Sequence, residues 1–282
     1  MKLLLDVGNS RIKWAFVTSG SFVAHGVVVR DEEADLRPLF DTGQRPDEIR
    51  IANVAGGPAG ARIAARLEQR FHVAPVFARS ARTGAGVQNG YADSGQLGVD
   101  RWLAICAAYD HYRAAVCVVS AGTATTIDLV TDSGEHRGGV ILPGLGLMEL
   151  ALMRGTSDLA QRSGASSPQV EDRFLVGPRF DPEAPVIALG RDTAAAMHYG
   201  ALQATTSLVW ACLEEFSNRA SPVTIPPILL VTGGAASTLQ AALRRMAGVR
   251  GALPLAAIRL DHRPQLVLEG LALDPLCFVA DQ

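Results

Sequence analysis

The sequence predicts an α/β fold made of two duplicated halves, and three observations carry that prediction. An apolar strand, a glycine-containing turn and a returning strand form LLLDVGNSRIKWAFV from residue 3, and the pattern recurs as CVVSAGTATTIDLVT from residue 117. Recurrence at such a separation is the mark of an internal repeat. Between and after these pairs, short apolar runs alternate with longer stretches of helical period. The 282 residues are 48% hydrophobic and 19% charged, a globular composition, and long enough for two domains at roughly 100 to 200 residues each. The boundary falls between an N-terminal domain of residues 1–115 and a C-terminal domain of residues 116–282.

Each element follows in order. Lys2 to Asp6 is an apolar run ending in an acid, Val7-Gly8-Asn9-Ser10 a turn, and Ile12 to Val17 the returning strand. Ala59 to Phe71 carries Ile63, Leu67 and Phe71 four apart, the spacing of one helix face, and Leu97 to Tyr112 forms a second helix. The second hairpin starts at Val116, turns at Ala121-Gly122-Thr123-Ala124, and returns over Thr125 to Val130. The run GGVILPGLGLMELALM passes from a buried strand through a Pro-Gly break into a helix. Residues 155 to 190, rich in Gly, Ser, Pro and charge, form a surface excursion. A long apolar helix then spans Thr193 to Phe216, with Asp192 or Thr193 as its N-cap. Pro227 to Val231 is a buried strand ending at Gly233-Gly234, and Ser237 to Met246 is a helix.

Composition also excludes. A formal net charge of -2, with no basic stripe, argues against nucleic acid. Cys106, Cys117, Cys212 and Cys277 are widely spaced among apolar neighbours and are expected as buried free thiols. The chain begins directly in a strand-like run, and no apolar stretch reaches the roughly 18 residues of a membrane span, so a cytoplasmic location without membrane contact is expected. The six histidines, His25, His72, His111, His136, His198 and His262, share no metal-ligand spacing, although His198 could approach a site at Thr193. GAGVQN, Gly84 to Asn89, falls one residue short of a dinucleotide fingerprint, and no P-loop is present.

The turns carry the candidate chemistry. In DVGNSRIK, Asp6 to Lys13, a carboxylate at a strand end stands beside a tight glycine turn whose N–H groups can cradle phosphate oxygens. A carboxylate there can hold the hydrated Mg²⁺ of a nucleotide. Gly122-Thr123-Ala124-Thr125-Thr126 has the same character, since glycine permits close backbone approach and hydroxyls donate to phosphate. Each turn taken singly is also ordinary hairpin chemistry. Their equivalent places in the repeat would set them across one cleft. That arrangement resembles the acetate and sugar kinase, chaperone and actin superfamily, with its duplicated ribonuclease H-like (actin-like ATPase) domains and nucleotide cleft. Gly233 and Gly234, between a buried strand and a helix, fit the adenosine side.

YADSGQLGVDR, Tyr91 to Arg101, resembles the Tyr-x-x-Pro-x-x-Leu-Gly-x-Asp-Arg signature of type III pantothenate kinases. Together with the Asp-x-Gly-Asn and Gly-Thr-Ala turns, GGVILPGL and MRGTSDLA, the matches run in order from residue 3 to about 235. The resemblance implies transfer of the ATP γ-phosphoryl group to pantothenate, giving 4'-phosphopantothenate, the first step towards coenzyme A. It implies Asp100 as general base. Tyr91, Gly98, Val99, Asp100, Arg101 and Thr193 would bind pantothenate, Arg101 by pairing with its carboxylate. Asp6, Val7, Gly8, Asn9, Ser10, Arg11, Ile12, Lys13 and Thr123 would bind the nucleotide, with Asp6 holding Mg²⁺ through water. A homodimer is implied too.

Two departures stand out. Ser94 occupies the place of the signature proline, and Ser120 stands where many members carry an aspartate that helps hold potassium or ammonium. Dependence on a monovalent cation is therefore in doubt. An actin-like kinase acting on another small acceptor, and a non-catalytic transcription accessory protein of the same family, are the alternative readings.

Overall fold

Residues 1–30, 34–156, 188–219, 227–249, 258–274 and 278–280 are described by a computed structural model. Expectations that fall on residues 157–187 or on Cys277, including the tail of MRGTSDLA and most of the surface excursion, lie outside the described residues. The chain divides into two compact units, one of residues 1–113, 133–138 and 265–282, the other of residues 114–132 and 139–264.

In the first unit, β1 (Lys2–Val7), β2 (Arg11–Thr18) and β3 (Ser21–Val29) form an antiparallel meander. After the short α1 (Arg37–Phe40), β4 (Glu48–Asn53) adds in parallel to β1. After α2 (Gly57–Phe71), β5 (Val76–Ala78) pairs in parallel with β4. A small hairpin of β6 (Thr83–Gly84) and β7 (Val87–Gln88), a 3₁₀ turn at Ser94–Gln96, and α3 (Val99–Tyr112) follow. GAGVQN is thus hairpin backbone, with Ala85 and Gly86 at positive φ in its turn.

The two-residue period of β1 decides what its faces meet. Leu3, Leu5 and Val7 pack with Ile63 and Leu67 of α2. Leu4 points to the opposite face, into a cluster with Leu103 of α3. Asp6, two residues further, belongs to that α3 face.

The second unit repeats the plan. β8 (Val116–Ala121), β9 (Ala124–Val130) and β10 (His136–Pro143, whose first three residues group with the first unit) lie in sequence across the sheet, α4 (Leu145–Gly155) and α5 (Thr193–Arg219) follow, and β11 (Ile228–Thr232) joins β8 in parallel. α6 (Ala236–Val249) leads to β12 (Leu260–His262), parallel to β11. The order β10-β9-β8-β11-β12 matches β3-β2-β1-β4-β5 strand for strand. Its core joins Cys117 and Val119 of β8 to Val209, Trp210 and Leu213 of α5 and Leu239 and Leu243 of α6. Cys106 and Cys117 are buried free thiols, whereas Cys212 is half-buried.

Two differences from the sequence-based expectation have plain causes. The strand in GGVILPG is not buried: β10 lies at the sheet edge, leaving Val140 and Ile141 exposed. Residues 265–282 also cluster with the first unit and not with the rest of 116–282. Leu268 and Leu271 of α7 (Leu266–Ala272) bury beside Leu4 and Leu103, worth about 2 kcal/mol each. Gly270 lets α7 come that close, since a Cβ there would stand 2.3 Å from the Leu103 carbonyl oxygen. β13 (Phe278–Ala280) then extends the first sheet beside β5.

Candidate active site

The first unit brings together the Asp6 hairpin and the Tyr91–Arg101 motif. At the β1–β2 turn, Gly8 N donates to Arg11 O at 3.0 Å, and Arg30 donates through its backbone N to Ser10 O and through Nε to Asn9 O. Asn9 at the tip is exposed, and Lys13 sits opposite Asp6 in register. Burial pushes the Asp6 carboxyl up to about 6; Lys13 pulls it down, and the charge of Asp100 pushes it up further. The two carboxylates therefore face one electrostatic environment, as the α3 face of β1 requires.

Asp100 occupies the first turn of α3, where a helix N-terminus favours negative charge. Its Oδ1 accepts the Arg101 backbone N–H at 2.8 Å. Gly98 gives the carboxylate room, because a Cβ at that position would stand 2.8 Å from Asp100 Oδ1. Val99 opens the helix beside it, half-buried. Arg101 is 5% exposed, and its Nη1 donates to the Tyr91 hydroxyl at 2.9 Å.

The loop that carries Tyr91 is held by a residue the sequence reading passed over. Asn89, 2% exposed, donates from Nδ2 to Ala81 O and Ser94 O and accepts the Tyr91 N–H on Oδ1. An Asn able to close a turn on its own backbone is the available signal. Asp93 caps the 3₁₀ turn through the Gly95 N–H, which makes Ser94 the first residue of the turn, the position proline suits. Ser80 Oγ donates to Leu97 O at 2.6 Å and closes the far end.

The remaining predicted residues lie in the second unit. Gly122 and Thr123 form the exposed β8–β9 turn, with Gly122 N donating to Ala124 O. Gly144, before α4, donates to Thr123 O at 2.9 Å, and a Cβ on it would stand 2.1 Å from Gly122 O. Gly233 has φ +99, and a Cβ there would lie 2.3 Å from Ala121 O. Ala235 N donates to that same oxygen, so Gly233-Gly234 packs directly on the hairpin end. Thr193 is the first residue of α5, which Asp192 caps by accepting from the Ala195 N–H at 2.8 Å. His198 is buried and bound through Nδ1 to Glu149 Oε1 at 3.0 Å.

Ser120 occupies in the second hairpin the register that Asp6 holds in the first. Its neighbours across the sheet are Thr126 and Thr232, so three hydroxyl residues form a neutral row there. That row lacks the carboxylate charge a potassium or ammonium ion would draw on. Among the described residues, no three His, Cys, Asp or Glu side chains form a metal cage. Also among them, no helix is long and apolar enough to cross a membrane.

Comparison with known proteins adds to this geometry. Residues 2–215 match a family model described as type III pantothenate kinase. A type III pantothenate kinase of Thiobacillus denitrificans is 34% identical over 270 residues, 96% of this chain and 94% of its own. One of Burkholderia mallei is 35% identical over 285 residues, covering 97% and 98%. Among solved structures, a putative 2-dehydro-3-deoxygalactonokinase from Sinorhizobium meliloti superposes over 96% of this chain and 97% of its own, with a TM-score of 0.51 at 13% identity, a likeness of fold alone.

Proposed function

The chain belongs to the type III pantothenate kinase family, and on that premise we propose that it phosphorylates pantothenate with Asp100 as general base. It is an ATP-dependent kinase of coenzyme A biosynthesis, making 4'-phosphopantothenate. The observation that supports the residue assignment is the convergence of Asp6 and Asp100 on one face of the first unit, each within reach of the other's charge.

The acceptor hydroxyl oxygen attacks the γ-phosphorus, the bond from that phosphorus to the β-bridging oxygen breaks, and ADP leaves. The hydroxyl proton passes to the Asp100 carboxylate. Arg101 pairs with the pantothenate carboxylate, and Tyr91, Gly98 and Val99 shape the acceptor site. Thr193 contributes a hydroxyl to the same substrate. Val7 to Lys13 and Thr123 bind the phosphate chain of ATP, and Gly233-Gly234 the adenosine.

Asp6 suits a hydrated Mg²⁺. Its carboxyl is raised chiefly by burial, with Lys13 pulling it down and Asp100 pushing it up, and a divalent cation would offset the burial cost and the charge of the facing carboxylate. Bound there, Mg²⁺ supplies charge neutralisation at the phosphates. At Ser120 the hydroxyl row offers a monovalent cation neutral oxygens but no carboxylate charge, which weakens a site there. Turnover is expected to vary by less than about threefold among sodium, potassium and ammonium, and Ser120→Asp to restore a preference for potassium. A homodimer completes the reading: Val140, Ile141, Leu147 and Leu152 are exposed apolar side chains of the second unit suited to an interface, and sedimentation velocity tests it.

The decisive experiment is coupled ADP release from the purified chain with pantothenate. Asp100→Asn is expected to lower kcat at least about 100-fold with KM for ATP little changed. Near-normal kcat in that variant overturns the base, and no turnover by wild type in any of the three salts overturns the substrate.

A further inference from the structure

Tyr91 is stacked on His136, a residue that no signature motif includes. The ring centroids are 6.0 Å apart and the planes 11° from parallel. His136 is 1% exposed whereas Tyr91 is half-buried, so the imidazole forms the inner layer of the pair. The backbone builds this approach deliberately. Gln88 N donates to Gly134 O at 2.8 Å, and Gln88 bridges to Glu135 in parallel. At Gly90, beside Tyr91, a Cβ would stand 1.9 Å from the His136 carbonyl oxygen, so only glycine lets residue 136 come this close. Tyr91 also meets Arg101, whose Nη1 donates to its hydroxyl. That oxygen is thereby an acceptor, which leaves its own proton to donate to a bound molecule.

We propose that residues 133–138 form the floor of the acceptor-binding site, with His136 a positioning residue that fixes the ring plane of Tyr91 and, through it, the guanidinium of Arg101. This rests on the assignment of Tyr91 and Arg101 to acceptor binding. A phenol ring on a solvent-facing loop turns freely about two side-chain torsions, and each productive orientation must be selected when substrate binds. A flat partner beneath it makes that selection in advance, lowering the cost of binding the acceptor without touching the transferring phosphoryl group. The flat surface matters here, not the imidazole nitrogens.

The test compares His136→Ala, His136→Gln and His136→Phe in the full chain. Both non-aromatic variants are expected to raise KM for pantothenate about fivefold to tenfold, with kcat and KM for ATP within about twofold of wild type, and Phe to recover most of the loss. In protein labelled with ¹³C-tyrosine, the ring signals of Tyr91, assigned by their disappearance in Tyr91→Phe, are expected to shift in His136→Ala and His136→Gln. Unchanged KM for pantothenate, a parallel rise for both substrates, failure of Phe to rescue, or unmoved Tyr91 signals each overturns the proposal. If wild type turns over no pantothenate, the substrate assignment fails by itself, and the Tyr91 signals still decide whether His136 holds the ring.

Discussion

Burying a carboxylate costs free energy, and Asp6 bears that cost until a cation arrives. Burial raises its pKa from the ordinary 3.8 to about 6, so the folded state holds the proton more tightly than the unfolded one. The contribution to stability is therefore fully present below about pH 4 and lost as pH rises through about 6. Asp6→Asn removes the penalty. It is expected to stabilise the nucleotide-free protein by about 3 kcal/mol at pH 7.5 in urea denaturation while abolishing kinase activity. The wild-type kcat/KM for ATP should fall on the acid side with an apparent pKa near 6, the value at which Asp6 loses its charge. Asp6, Asp100 and Tyr91 were legible in the sequence because turn chemistry and a signature spacing single them out. His136 was not, since its role depends on which loops the fold brings side by side, and Asn89 offered only the turn-closing tendency of its residue type.

Local rules explain the elements that were foreseen and those that were not. The β1–β2 and β8–β9 hairpins, α2, α3 and α5 announce themselves by period and by turn residues. β5 spans three residues, too few for a period, and β4 carries a buried Arg50 in its middle that masks its apolar character. β10 is apolar in sequence yet lies at an edge, because composition does not tell an edge strand from a central one. The 3₁₀ turn at Ser94 offers a test at this scale. Asp93 already has extended backbone, with φ -103 and ψ 108, as a residue before proline must. Ser94→Pro should thus stabilise the chain by about 0.5 kcal/mol, raising the midpoint of thermal unfolding with little change in activity.

At the scale of the molecule, the repeat was visible as two similar hairpins, and the matching strand orders extend it to five strands of each sheet. The return of the C-terminal segment to the first unit was not visible, because it depends on packing between residues more than 150 positions apart. Arg50 fastens that segment. From a strand where it is 4% exposed it donates to Leu271 O and Leu273 O at 3.0 Å each and pairs with Asp274 and Glu48. Arg50→Ala leaves two inward carbonyls and two acids without this partner, and about 3 kcal/mol of stability should go with it, measured by chemical denaturation.

That fastening also sets an order of events during synthesis. A ribosome emits the N-terminal residues first, yet α7 and β13, which complete their sheet and cover Leu4 and Leu103, emerge only after the second unit. The second unit, residues 114–132 and 139–264, is fully emitted before the first can close. For the time taken to translate everything in between, the nascent sheet has β5 as an unpaired edge and an uncovered apolar face, and that interval is when the chain most needs a chaperone.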